Sequence, residues 1–393
     1  MASVGKKTPS GKWPARYVDK NGVHRSKSFT MKKDAEAYAR QVTIEIENNR
    51  HIPEAAALTV KEVCRQYLDD LEDRYESKQI GKSRYVSSAE TIRRHIIQDF
   101  GSRLIKDLTS LEVEEWIKKK RRSGNLRNGG RLTPATIQHL MSLFKMIEDF
   151  AVRRKFMHER IVAEARKQLG RMETDAVRTF TVDEIRVVLE HTNRSKRHRQ
   201  DRDNVSLACI VYLAAFCGLR VGEINGLTPD SVDLDRRIIR VRHSLTRFGE
   251  LKSPKTKAGL RDVPMPNVIC DLLREWMTAH YVPNPLGTLF STRAGHPYNY
   301  TDVHRRWCVL LKATGFEGSY HFHALRHFAA STMIEHGLPL PDVARLLGHE
   351  HFDITLQVYA HPTRDVSAHH GALERMVGAI PDATRTALPA PTV

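Results

Sequence analysis

The sequence predicts a multidomain, mainly α protein with small β-sheets, and three observations predict it. Between Leu58 and about Lys167, apolar residues recur at helical spacing behind recognisable caps. Short strand–turn–strand patterns occur twice, near residues 13–29 and 238–264. A length of 393 residues exceeds one ordinary domain, so two or three are expected. The boundaries are expected at 1–52 for a small sheet-plus-helix unit and 58–170 for a helical domain. An α+β domain is expected over 175–380, and 381–393 reads as a Pro/Thr/Ala-rich disordered tail.

In the first unit, Trp13 to Val18 reads as a strand, Asp19-Lys20-Asn21-Gly22 as a turn, and Arg25 to Phe29 as the returning strand. Thr30 is the expected cap of a helix from about Lys32 to Asn48, with Ala35, Tyr38, Val42 and Ile46 near helical spacing. The unit carries eleven Lys/Arg against five Asp/Glu over residues 1–50. A linker around Pro53 ends it, because proline breaks the preceding helix.

In the helical stretch, Thr59 begins a helix through Val63, Tyr67 and Leu71. Ser88 to Ile97 predicts a second helix, Ser110 to Lys120 a third, and Thr133 to Phe156 a fourth. Thr133-Pro134 joins a capping hydroxyl to proline at the first helical position. The run Lys118, Lys119, Lys120, Arg121, Arg122 precedes Ser123-Gly124. Five cations exceed what a helix dipole calls for, so a phosphate-facing loop is expected there.

The last domain is expected to begin near Val177. Thr181-Val182-Asp183-Glu184 is a capping box opening a helix, and residues 194–199 read as an exposed polar loop. An apolar helix from Leu207 to Phe216 leads into Gly218-Leu219-Arg220. Ile238–Arg242 and Leu251–Pro264 read as short strands with turns. Beyond them the chain is mostly helical, punctuated by Gly315, Gly337 and Gly348.

Lys plus Arg number 63 against 46 Asp plus Glu, a formal charge of +17. That excess favours a polyanionic partner, since each neutralised phosphate releases counterions. The five cysteines (Cys64, Cys209, Cys217, Cys270, Cys308) form no C-x-x-C pair and read as reduced thiols, not as a disulfide frame or zinc ribbon. With no hydrophobic leader and no apolar run near 18 residues, the expectation is a soluble, cytoplasmic protein that does not engage a membrane.

Six residues stand in an order that outweighs any one of them. Arg220 sits in Gly218-Leu219-Arg220-Val221-Gly222-Glu223, and Lys255 in Ser253-Pro254-Lys255-Thr256-Lys257. His323 and Arg326 share His323-Ala324-Leu325-Arg326-His327, and His349 closes Leu346-Leu347-Gly348-His349. Tyr359 comes ten residues later, in Val358-Tyr359-Ala360-His361. Together they form a set able to attack a phosphodiester without a metal. The histidine-rich stretch raises zinc as a rival, but H-E-x-x-H is absent and no cysteine or carboxylate completes an evident ligand set. No metal and no cofactor are therefore expected.

This set resembles the tyrosine recombinases, and within them the phage-type integrases, over roughly residues 175–375. Arginine suits charge neutralisation at non-bridging oxygens because its planar fork is permanently charged, so Arg220 and Arg326 are the expected clamp. Glu223, three residues beyond Arg220, shares its helix face and is expected to support it. Lys255 matches the family hairpin, Pro-Lys-Thr and then Arg261-Asp262-Val263-Pro264, and is the expected proton donor to the departing 5′ oxygen; Lys252 and Lys257 are its rivals. His323 is expected to accept the tyrosine proton or donate to the phosphate, and His349 to donate. His321, His327 and His351 read as capping or packing residues. Tyr359 is the expected nucleophile: a phenol is a poor one at neutral pH, and surrounding cations favour the phenolate. Phe328 departs from the small hydroxyl residue common there, a change expected to touch packing only.

The resemblance implies a reaction: cutting and rejoining double-stranded DNA through a 3′-phosphotyrosine, with integration or excision of a mobile element as the task. The first unit resembles the arm-binding domains ahead of many integrases, with Arg16, Arg25 and Lys27 as its expected DNA contacts. The helical stretch resembles a core-binding domain. A homotetramer on core-type and arm-type sites is implied, with the segment 366–376 packing into an adjacent protomer, and with a DNA-bending host factor and an excisionase as possible assistants. The rival readings are a type IB topoisomerase, disfavoured by the arm-like first unit, and a non-catalytic DNA-binding regulator, disfavoured by the complete six-residue set.

Overall fold

The computed structural model describes residues 2–19, 22–48, 50–53, 57–125, 129–169, 178–194, 202–254 and 256–349. Lys255, Tyr359, the segment 366–376, the tail 381–393 and all but residue 194 of the polar loop lie outside the described residues. The chain divides into two compact units, Met1–Asp175 and Ala176–Val393. It is mostly helical, with three small sheets among the described residues.

The first unit opens with an antiparallel sheet of β1 (Ser3–Val4), β2 (Trp13–Val18) and β3 (His24–Phe29), in that order. Ala15 pairs with Lys27 and Arg16 with Ser26, so strand alternation puts Ala15 and Tyr17 on the inner face and Arg16 on the open one. The helix Lys32–Glu47 buries Ala35, Ala39 and Val42 beside that inner face. Its N-cap is Met31, without a side-chain bond, and not Thr30. The helix begins one residue too late for the Thr30 hydroxyl, and Asp34 in the first turn supplies the favourable charge instead.

The bundle after it obeys its caps. Thr59 and Glu62 form a reciprocal capping box at the Val60–Glu76 helix, and Thr109 and Glu112 form another at Ser110–Ser123. Thr133 accepts from Thr136 N–H at the start of Pro134–Arg153. The second helix begins at Lys82, six residues before its expected start, and runs on through a π-helical turn at Ile92–Ile97. A fifth helix, Ile161–Leu169, lies beyond the four expected; buried Glu148 caps it by accepting from Val162 N–H at 2.6 Å. Phe100, Trp116, Phe144 and Phe150 centre the core.

The second unit is built around Arg202–Phe216, a helix that beyond its polar first turn is apolar and largely buried. The capping box before Val182–Arg194 is present: Thr181 N–H donates to the Glu184 carboxylate at 2.9 Å and Glu184 N–H to the Thr181 hydroxyl at 3.2 Å. Three antiparallel strands come next in the order β4 (Val232–Asp233), β5 (Ile238–Val241) and β8 (Arg261–Pro264), while β6 (Ser244–Leu245) pairs with β7 (Leu251–Lys252). The helices Tyr300–Ala313, Ala324–Glu335 and Leu340–Leu347 complete the described fold, and Trp276, Tyr298 and Trp307 are fully buried in its core. No helix of the described residues is long and apolar enough to cross a membrane. Cys64, Cys209, Cys217 and Cys270 are buried thiols outside any disulfide, and burial pushes Cys64 and Cys217 up to about 12; Cys308 is exposed.

Candidate active site

The site forms where the helix Leu340–Leu347 ends. A helix leaves its last carbonyls without intrahelical partners and carries negative potential there. Three arginines take up those carbonyls. Arg326 Nη2 donates to Leu347 O at 2.6 Å, and Arg220 Nη1 donates to the same oxygen at 3.4 Å. Arg220 Nη2 reaches Gly348 O at 3.2 Å, and Arg261 Nε reaches Leu346 O at 2.6 Å. Residues 220 and 326, far apart in sequence, thus meet on one oxygen.

Their surroundings differ. Arg326 is only 2% exposed, on the buried face of Ala324–Glu335, with Nη1 donating to Gly218 O at 2.7 Å. The Arg220 side chain keeps 40% exposure at the start of the short Val221–Asn225 helix, so the open side of the pair belongs to it. Glu223 lies beneath. It accepts from Arg220 N–H and from Arg220 Nη1, both at 2.9 Å, as its place three residues on predicts. Burial alone would raise the Glu223 carboxyl; the Arg261 fork, with Arg220 beside it, overrides burial and holds it at about 2.

Gly348 turns the chain out of the helix in the left-handed region, at φ 67°. A side chain there is strained, and its Cβ would also fall 2.8 Å from Arg261 Nη1 and 3.0 Å from Ala258 O. The turn leaves His349 next to the arginines. Partial burial, then Arg326, Arg220 and Arg261, push its imidazole down to about 4. His323 stands at the N-cap position of the Arg326 helix without a side-chain cap bond; its surface is open, but packing around it, the His327 ring and the cations Arg326 and Arg220 lower it to about 4 as well. Both rings are neutral at pH 7, so each offers one N–H donor and one acceptor nitrogen. The site therefore combines two fixed guanidiniums with two uncharged proton carriers.

Arg220, Glu223, His323, Arg326 and His349 are thus brought together, while Lys255 and Tyr359 lie outside the described residues, as do His351 and His361. Lys252, a rival to Lys255, is ion-paired to Glu250 at 2.8 Å, and His327 packs edge-on against His323. Phe328 is buried in the core. Among the described residues no three His, Cys, Asp or Glu side chains gather as a metal site. The sequence reading missed Arg261. It shares the inward face of β8 with Val263, and a charge at an inward strand position demands a buried partner.

The expected DNA contacts divide. Lys118, Lys119, Arg121 and Arg122 are exposed, but they stand on the helix Ser110–Ser123 and not on a loop. Lys120 is turned inward, a correction to the sequence reading: its spacing from Val113, Trp116 and Ile117 puts it on the buried face, where it pairs with Asp99 at 2.7 Å. On the sheet, Arg25 is ion-paired to Asp19 at 3.0 Å and Lys27 lies over the Phe29 and Tyr38 rings; Arg16 stands on the open face.

The phage integrase family model matches residues 178–365, the stretch that holds this arrangement. Over that stretch the chain is a tyrosine recombinase of the phage-integrase type. A tyrosine recombinase XerC-like protein of Caldanaerobacter subterraneus subsp. tengcongensis is 28% identical to it over 214 residues, covering 49% of this chain. The chain spans about half of that relative's length, 52%. Among solved structures, the Tn1549 transposon integrase in complex with a circular intermediate DNA has a TM-score of 0.67 at 20% identity, covering 81% of this recombinase and 100% of that chain. A lambda integrase tetramer bound to a Holliday junction has a TM-score of 0.54 at 18% identity, covering 88% and 95%. Both structures share the recombinase's fold.

Proposed function

We propose that this recombinase cuts and rejoins DNA at defined sites through Tyr359, moving a mobile element into or out of a chromosome. The observation that carries the reading is the meeting of Arg220 and Arg326 on Leu347 O, with His323 and His349 beside them. Two guanidiniums fixed side by side hold the non-bridging oxygens of one phosphate and stabilise the charge that develops there. The Tyr359 oxygen attacks phosphorus, its proton passing to a neutral imidazole, with His323 in that role. The bond to the 5′ oxygen breaks, and Lys255 protonates the oxygen that leaves. A 5′ hydroxyl from a partner duplex then attacks the phosphotyrosine, restoring the phosphodiester and the phenol. One ester replaces another at each step, so no energy source is consumed.

In this account residues 1–52 bind arm-type DNA through the open face that carries Arg16. The domain 58–170 holds core-type DNA through Lys118, Lys119, Arg121 and Arg122. Four protomers act together, and the Holliday-junction tetramer of the lambda integrase supports that number. The segment 366–376 packs into the adjacent protomer, and a bending factor and an excisionase set direction.

Covalent capture tests the proposal. The protein is incubated in EDTA with sheared DNA from its source cell, and detergent-resistant adducts are collected and sequenced. Adducts confined to a few shared sites support recombination. Scattered adducts indicate a topoisomerase, and DNA binding without any adduct indicates a regulator.

A further inference from the structure

We infer that Arg261 is a positioning residue of the recombinase, setting the stance of Arg220 and His349 without touching DNA; the inference rests on the active site proposed above. The Arg261 side chain is 4% exposed. Its Nη1 and Nη2 donate to the two Glu223 oxygens at 3.0 and 2.9 Å, while Nε holds Leu346 O at 2.6 Å and Nη1 also reaches Gly259 O at 3.3 Å. Four of its five N–H donors are thus spent inside the protein, where Arg326 spends two on the carbonyls of Gly218 and Leu347.

Three of these four bonds end on or next to site groups. The Glu223 oxygens that Arg261 holds are the same two that fix Arg220. Leu346 is three residues before His349, and Gly348 between them has no side chain where Arg261 Nη1 packs. Gly259 lies against the Pro254 ring, at the base of the hairpin. One guanidinium therefore ties together the segment carrying Arg220, the turn carrying His349 and the base of the hairpin. A buried ion pair kept only for stability has no reason to end on these three segments.

The test uses full-length Arg261→Gln beside wild type, Glu223→Gln and the double variant. Single-turnover cleavage and Kd are measured on the same DNA at a temperature where circular dichroism shows folded protein. We expect cleavage at saturating DNA to fall about 10²-fold, as misplacement of reacting groups does, with Kd moving less than about threefold. The double variant is expected to be no slower than the slower single, because both residues act through one unit. In 15N-arginine spectra the Arg220 Nε–H signal, assigned by its loss in Arg220→Lys, is expected to broaden or average in Arg261→Gln. Cleavage within about threefold of wild type overturns the inference, as does DNA affinity falling in step with cleavage. An unchanged Arg220 signal overturns it whatever happens to cleavage. Should Arg261→Gln not fold, Arg261→Lys, which keeps the charge but loses the fork, is read the same way. If wild type forms no adduct, the active-site reading fails while the Arg220 signal still decides this one.

Discussion

Replacing Glu223 by Gln removes the carboxylate that both Arg220 and Arg261 hold, and the structure sets its cost. Glu223 is 4% exposed, and its carboxyl lies at about 2 against an ordinary 4.5. A folded-state pKa below the unfolded one means the stabilisation is fully present above pH 4.5 and is lost as pH falls towards 2. At about 1.36 kcal/mol per pH decade, that difference amounts to roughly 3 kcal/mol at pH 7. Breaking a buried ion pair from one side costs about 3–5 kcal/mol, because the partner charge stays buried. Two independent routes thus agree, and here the stranded charge is Arg261. The assay is urea unfolding monitored by hydrogen exchange in peptides from the buried helix Arg202–Phe216, which reports on the second unit alone. Glu223→Gln is expected to lower its stability by about 3 kcal/mol at pH 7, with the gap to wild type closing as pH approaches 2. Adding Arg261→Met is expected to recover part of the loss, since an apolar replacement leaves no unpaired charge. A loss below about 1 kcal/mol at pH 7, or a gap that ignores pH, refutes the reasoning.

The same geometry sets three further outcomes. Arg326→Lys loses the fork that spans Gly218 O and Leu347 O, so adduct formation is expected to slow by about 10³-fold with DNA affinity little changed, measured by single-turnover cleavage. Because His323 and His349 stay neutral down to about 4, the pH profile of kcat/KM should be flat from about pH 5.5 to 8 and fall only as pH drops towards 4; an acid limb centred near 6.5 contradicts this. Gly348→Ala should cost about 1–2 kcal/mol for its backbone and displace Arg261 as well, abolishing cleavage. Gly337→Ala, at φ 87° but facing open space, is the control that should incur only the backbone cost in the same unfolding and cleavage assays.

Elements announced by local chemistry were legible in the sequence. Thr133-Pro134 and the Thr181–Glu184 box mark their helices because a cap involves only neighbouring residues. The hairpin of β2 and β3 was legible for the same reason, through its turn. The helix Ile161–Leu169 was not, since its cap is Glu148, which arrives from a different helix. Lys120 was misread because a run of five cations looks uniform along the chain, while helical rotation turns one of them against Asp99. In the site, motif order was enough to nominate Arg220, Glu223, His323, Arg326 and His349. Arg261 stayed hidden because its significance comes from a carboxylate 38 residues away and a carbonyl 85 residues away. Long-range pairing of this kind leaves only one mark in the sequence, a charge on the inward face of a strand.

We propose that this arginine and histidine cluster serves one nucleophile, Tyr359. The most direct test is to trap the protein on a DNA duplex nicked so that cleavage cannot reverse, digest both components, and sequence the adducted peptide by mass spectrometry. A nucleotide joined through phosphate to Tyr359 is expected in wild type, with no adduct from a Tyr359→Phe variant that still binds the duplex. A nucleotide on any other residue, or an adduct that survives Tyr359→Phe, would contradict it.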